Sequence, residues 1–138
     1  MAHQVADSIS AGPQAPGRAL NATLWLLQIA AAAMFFLAGA SKLASAPAMV
    51  AVFDAVGVGQ WFRYVTGRLE VLGATALLVP RLSGAGGLLL AGVMVGAVAT
   101  HLFIIGGSPL VPLVLLVVTA LVACGRRERT MKLFAGLR

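Results

Sequence analysis

Apolar runs of roughly membrane-crossing length, separated by clusters of glycine, proline or charge, fill most of this 138-residue chain between Thr23 and Cys124. A hydrocarbon core takes about 20 apolar residues to cross as a helix. A chain this small has no interior large enough to hide several such runs, so lipid must be the solvent for much of its surface. In lipid the backbone has to satisfy its own N–H and C=O groups, which leaves helices or a closed barrel. Continuous apolar runs, without strand-like alternation, point to helices. Charge supports this: only 10% of residues are charged, against about 25% in ordinary soluble domains. The expected fold is an all-α membrane protein, a four-transmembrane-helix bundle with a short interfacial helix between spans one and two.

The breakers set the boundaries. Spans are expected at about 23–41, 62–80, 82–105 and 110–124, giving a flexible lead over 1–21, a transmembrane domain over 22–124 and a basic tail over 125–138. Asn21 or Thr23 suits an N-cap before the first span, and Trp25 suits a headgroup boundary. Pro80 stops the second span, Gly106-Gly107-Ser108-Pro109 separates the third from the fourth, and Pro112 fits a first helical turn. Between spans one and two, Pro47 opens a segment with Met49, Val52, Phe53 and Val56 on one helical stripe, ended by Gly57 and Gly59. That segment is too short to span and is expected at the interface, with Trp61 and Tyr64 as anchors. A secretory leader, with Arg18 before the run and Ala38-Gly39-Ala40 as its cleavage site, is the rival for the first span. The run is long for such a leader.

Net charge is +6, and half of the ten Lys and Arg fall in the last thirteen residues. Beyond an apolar run, that placement matches cytoplasmic positive charge rather than a nucleic-acid surface, and the basic and aromatic interleaving of such a surface is missing. The lead, the Arg81 turn and the tail hold seven of the ten cations and share one side. Both termini are therefore expected in the cytoplasm. Met131, Phe134 and Leu137 suit a short tail helix on the inner leaflet. The single cysteine, Cys124, excludes an intrachain disulfide and is expected to be a buried structural thiol.

The informative residues are ionisable groups inside apolar spans, which cost about 2.5–3.5 kcal/mol or more at a helix centre and commonly pair or mark functional sites. Lys42, Glu70 and His101 stand out, and helical rise places all three in the outer half of one bundle. Gln28, Ala32, Phe35, Gly39 and Lys42 share a face of span one; Gly67, Glu70 and Ala74 share one on span two; Met94, Ala97, Val98 and His101 share one on span three. Arg63, Arg68 and Asp54 are near enough in sequence to join. The expected polar cluster is Lys42, Glu70, His101, Arg68 and Gln28, with Gly39, Gly67, Gly73, Gly92 and Gly96 as helix-packing positions. Two readings stand open. In one, Lys42 and Glu70 form a static ion pair that fixes helix register. In the other, the cluster is an outward-facing polar pocket for a quinone, lipid or small solute, with His101 as the titrating group. No metal site is expected, since no carboxylate–His spacing forms one, and a serine nucleophile lacks a partnered histidine.

The runs Gly39-Ala-Ser-Lys42-Leu43, Gly67-Arg-Leu-Glu70-Val-Leu-Gly73-Ala74 and His101-Leu102, in that order and spacing, resemble the DoxX-like family of small bacterial membrane proteins, over about residues 22–124. The resemblance implies a four-helix bundle in the bacterial cytoplasmic membrane, with the family's lysine, glutamate and histidine at Lys42, Glu70 and His101. It implies an accessory or small subunit of a membrane oxidoreductase linked to quinone, or of another membrane complex. The alternative is an autonomous quinone-, lipid- or solute-binding protein or minor transporter. Expected partners are the lipid bilayer and other membrane subunits or further copies of the chain, with no nucleic acid. No cofactor is expected on the chain itself; quinone is the candidate ligand, and catalysis by the chain alone is not expected.

Overall fold

A computed structural model describes residues 17–138; the lead expected over 1–21 lies, up to residue 16, outside the described residues. Every regular element among them is helical: α1 Arg18–Leu43, α2 Pro47–Val56, α3 Gln60–Leu78, α4 Ser83–Thr100 running into a π-helical turn His101–Ile105, α5 Leu110–Gly125 and α6 Arg127–Ala135. The first helix begins before the expected cap. Asn21 and Thr23 lie inside it, and the Thr23 hydroxyl donates back to the Ala19 carbonyl at 2.9 Å. Pro47 occupies the first turn of α2, and Gly57 ends it at φ 77°, a left-handed conformation that costs glycine little.

The span expectation is met only in part. Two segments, α1 and Ser83–Ile105, are long and apolar enough to cross a membrane; α5 joins them only when counted with α6, from which it bends by 61°. The shortfalls have physical causes. Helix α3 has 19 residues, but Arg63, Arg68 and Glu70 dilute its apolar character. Helix α5 is strongly apolar but has 16 residues, about 24 Å at 1.5 Å each.

The four long helices close a ring in which α1 touches α3, α3 touches α4, α4 touches α5, and α5 returns to α1. The last contact is the sparsest. Their core is a cluster containing Ala31, Ala32, Phe35, Ala74, Leu77, Leu90, Met94 and Val122. Small residues set the helix spacing. A methyl group on Gly39 would lie 2.9 Å from the Gly67 carbonyl oxygen, and one on Gly87 would lie 3.0 Å from the Thr119 carbonyl oxygen. A methyl on Gly73 would strike Leu90. These glycines let the backbones approach closely. Gly92 and Gly96 correct the expectation for that pair, since nothing lies within 4 Å of where a side chain would begin. Their spacing matches a packing motif, but no helix covers that face.

Cys124 is exposed rather than buried. It follows the buried pair Val122 and Ala123, and the 100° step per residue turns it outward. Helix α2 is present as expected, yet its apolar stripe is not turned outward. Phe53 is buried and meets the Phe62 ring edge-on at 5.9 Å, while Met49, Val52 and Val56 line a cavity shared with the long helices.

Candidate functional site

The Gly39–Gly67 contact brings the end of α1 against the middle of α3 and places Lys42 beside Glu70. Lys42 Nζ donates to both carboxylate oxygens, at 2.8 and 3.1 Å. Glu70 is 3% exposed and Lys42 13%. A lone buried carboxylate would be very unfavourable, and the ammonium group offsets that cost at bonding distance. With Gly39 and Gly67 letting the two helices approach closely, the pair forms directly across their contact.

A second cation joins from about two helical turns before Glu70. Arg63 is buried and its guanidinium works as a fork: Nε donates to Gln60 Oε1 at 2.6 Å, Nη2 to Ser45 Oγ at 3.1 Å, and Nη1 to the Lys42 carbonyl oxygen. The Lys42 carbonyl belongs to the last turn of α1, where four C=O groups have no intrahelical partner and the helix dipole is negative. Arg63 therefore caps α1 and also ties down the turn at Ser45, whose φ of 56° is strained for a residue with a Cβ. The Ser45 and Tyr64 hydroxyls lie 3.2 Å apart, and the Arg63 guanidinium packs on the Tyr64 ring, 4.3 Å from its centre. Gln60 extends the chain of bonds by donating to Asp54 at 2.7 Å. Of the three residues near enough in sequence to join Glu70, Arg63 is the one that matters. Arg68 is exposed, and among the described residues it makes no bond to the cluster. It is two residues from Glu70, so it points away from it.

Between α1, α2, α3, α4 and α5 lies a cavity of about 920 Å³. Its wall is mainly apolar, from Phe35, Phe53, Phe62 and Met94, with Lys42, Glu70 and His101 as its charged or titratable groups. Gly92 and Gly96 form part of the same wall, which explains why they touch nothing. His101 begins the π-helical turn, a feature that recurs at functional sites. Its Nδ1 lies 2.9 Å from the Ala97 carbonyl oxygen. A carbonyl only accepts, so Nδ1 carries a proton and, in the neutral ring, Nε2 presents a lone pair. A large apolar cavity with a few convergent polar groups is the usual form of a small-molecule site. Among the described residues no three His, Cys, Asp or Glu side chains converge as a metal would need.

Gln28 is not part of this cluster. It shares the Lys42 face of α1 but sits fourteen residues earlier, about 21 Å along the axis. There it is buried in a separate network. Its Nε2 donates to the Leu77 carbonyl oxygen at 2.6 Å, and its Oε1 accepts from Arg126 Nε at 2.8 Å. Arg126, one of the cations of the basic tail over 125–138, is 2% exposed. It also donates to Asn21 Oδ1 at 2.6 Å and lies 5.7 Å from the centre of the Trp25 ring. Trp25 is half-buried beneath this cation. Arg126 Nη2 and the Thr130 hydroxyl are buried without a partner among the described residues. The available sequence signal was Gln28 itself, an amide on an otherwise apolar stripe that needs a partner from another helix.

No curated protein and no solved structure matches the chain. The sequence model of the DoxX-like family matches residues 26–124, which covers α1 from its third turn to the last turn of α5. The chain is an integral membrane protein and belongs to the DoxX-like family.

Proposed function

We propose that this protein holds an apolar molecule with a polar head, of the quinone or lipid class, in the cavity beside Lys42 and Glu70. The observation that carries this reading is the roughly 920 Å³ cavity itself, largely apolar yet walled by Glu70, Lys42 and His101. Phe35, Phe53 and Met94 would take the ring or chain. The Lys42 ammonium would donate to a carbonyl or hydroxyl head, and His101 Nε2 would accept from a hydroxyl. All four long helices would cross the bilayer. Seven of the ten Lys and Arg lie at the Arg126 end or in the lead, so that end and both termini would face the cytoplasm of a bacterial inner membrane. The cavity would then open toward the outer leaflet.

A specific observation favours a second role for the same chain, as the small subunit of a quinone-linked oxidoreductase or other membrane complex. Only 11% of the apolar window in Ser83–Ile105 is buried within the chain, against 33% in α1. Leu102, Phe103 and Ile104 are all exposed there. Lipid alone could cover that surface, but so could the helices of a larger partner, with the cavity lending it a quinone site. Titration of the protein in nanodiscs with a short-chain quinone, followed by native mass spectrometry, tests the binding reading. One saturable equivalent supports it; no retention of quinone or co-purified lipid overturns it. A chain that migrates alone from native membranes overturns the subunit role.

A further inference from the structure

At the end of the bundle away from Glu70, the turn after α3 and the tail helix α6 enclose a recess of about 300 Å³. Its wall consists of Pro80, Arg81, Arg129, Lys132 and Leu133. Three of these five are cations and none is acidic. Arg129 and Lys132 lie one turn apart on α6, and Arg81 is brought to them from nearly fifty residues earlier. The arrangement is held in place: Arg129 Nη1 donates to the Pro80 carbonyl oxygen at 2.9 Å, leaving four guanidinium N–H groups for other acceptors. Glu128 is the acid nearest in sequence, but it is not part of the wall. Three like charges around one concavity repel one another unless an anion sits among them.

The depth of the recess narrows the choice of anion. Leu78, Val79 and Leu82 flank it in sequence and are exposed, as side chains at the edge of the hydrocarbon are. Pro80 and Arg81 follow the end of α3, where a spanning helix would leave the hydrocarbon for the phosphate layer. The volume suits a phosphodiester head group rather than an acyl chain. Arg and Lys together are well matched to phosphate, Arg through paired N–H donors and Lys as a compact charge. We propose that Arg81, Arg129 and Lys132 bind the phosphate of an anionic phospholipid from the adjoining leaflet, and that this lipid clamps α6 to the turn between α3 and α4. The site shares no residue with the Glu70 cavity, so it stands whether or not that cavity binds quinone.

The test is a native mass spectrometry titration of the full chain in neutral detergent with phosphatidylglycerol, phosphatidylcholine or inorganic phosphate. A cation near a lipid surface contributes about 1 kcal/mol and 1.4 kcal/mol is tenfold in affinity, so the R81Q/K132Q double variant should bind phosphatidylglycerol about thirtyfold more weakly. R127Q/R138Q removes the same charge outside the recess and should change binding less than about threefold on the same scale. If the first double variant misfolds, R81Q alone, in an exposed turn, should weaken binding about fivefold. Equal losses in the two double variants would show a general charge effect and overturn the site. Phosphatidylcholine binding as tightly as phosphatidylglycerol would overturn it too. Inorganic phosphate displacing the lipid at equal concentration would overturn the assignment to a lipid.

Discussion

The two ends of the bundle each bury a cation, and they do so to different effect. At the Arg126 end, a guanidinium is bonded by Gln28 and Asn21, and Gln28 is bonded in turn to the Leu77 backbone. Three segments, α1, α3 and the α5–α6 joint, are stitched together there with glycines at the contacts. At the Lys42 end, an ammonium is bonded by one carboxylate on the wall of a large cavity. Amide and carbonyl partners neutralise nothing, so the first arrangement only holds helices. A carboxylate beside a cavity is different, because it and its cation can be reached by a ligand. Closure at one end lets the other stay open.

That contrast is most exposed to a substitution at Glu70. Glu70→Gln keeps the shape but strands the Lys42 ammonium, and loss of one partner from a buried pair typically costs about 3–5 kcal/mol. The lower part of that range is expected, because the lysine retains slight exposure. Melting in detergent should fall steeply, and quinone binding should fall with it at temperatures where the protein is still folded. Lys42→Met combined with Glu70→Leu should regain most of the stability while binding stays lost. Full ligand binding in that double variant would make the ion pair a register device alone.

Arg126→Met is expected to come next in size. It leaves Gln28 Oε1 and Asn21 Oδ1 without their donor, and an orphaned buried acceptor costs about 1–3 kcal/mol. The removed guanidinium had a buried Nη2 with no partner among the described residues, so relief of that group offsets part of the loss. A net destabilisation of about 2 kcal/mol in a detergent melt should therefore leave quinone affinity intact. A matching loss of affinity would mean that the closed end sets the shape of the open one, and the contrast between them would fail.

Much of the Lys42 end was legible in the sequence. A polar or charged residue in an apolar run has few places to go, and helical rise fixes its depth. The stripe Gln28, Ala32, Phe35, Gly39 does point inward, as all four are buried. Depth along the stripe was the harder quantity, and it separates Gln28 from the residues grouped with it. Arg126 was hidden because it stands among tail cations that look alike; only the fold across some hundred residues selects it for burial. Nearness in the chain suggests Arg68 as a partner of Glu70, whereas helical phase sends Arg63 inward and Arg68 out. Gly92 and Gly96 show the limit of a spacing rule. Four-residue spacing marks one smooth helix face, but whether a helix or a void lies against it depends on residues far away.

Those two glycines offer the finest cut between the ends, with the smallest expected effect on folding. A side chain at Gly96 would begin in open space within the cavity wall. Gly96→Leu adds apolar bulk where no atom must move, and it removes a residue that weakens helices by about 1 kcal/mol relative to good helix formers. Its detergent melt should be unchanged or slightly raised, while quinone binding is lost by occupation of the space. The same change at Gly87 would meet the backbone of α5 about 3.0 Å away and should be strongly destabilising instead. If Gly96→Leu bound quinone like the parent protein, the ligand would not occupy this cavity. If it melted far below the parent, the open face of α4 would be covered in the native assembly by another helix, which the subunit reading requires.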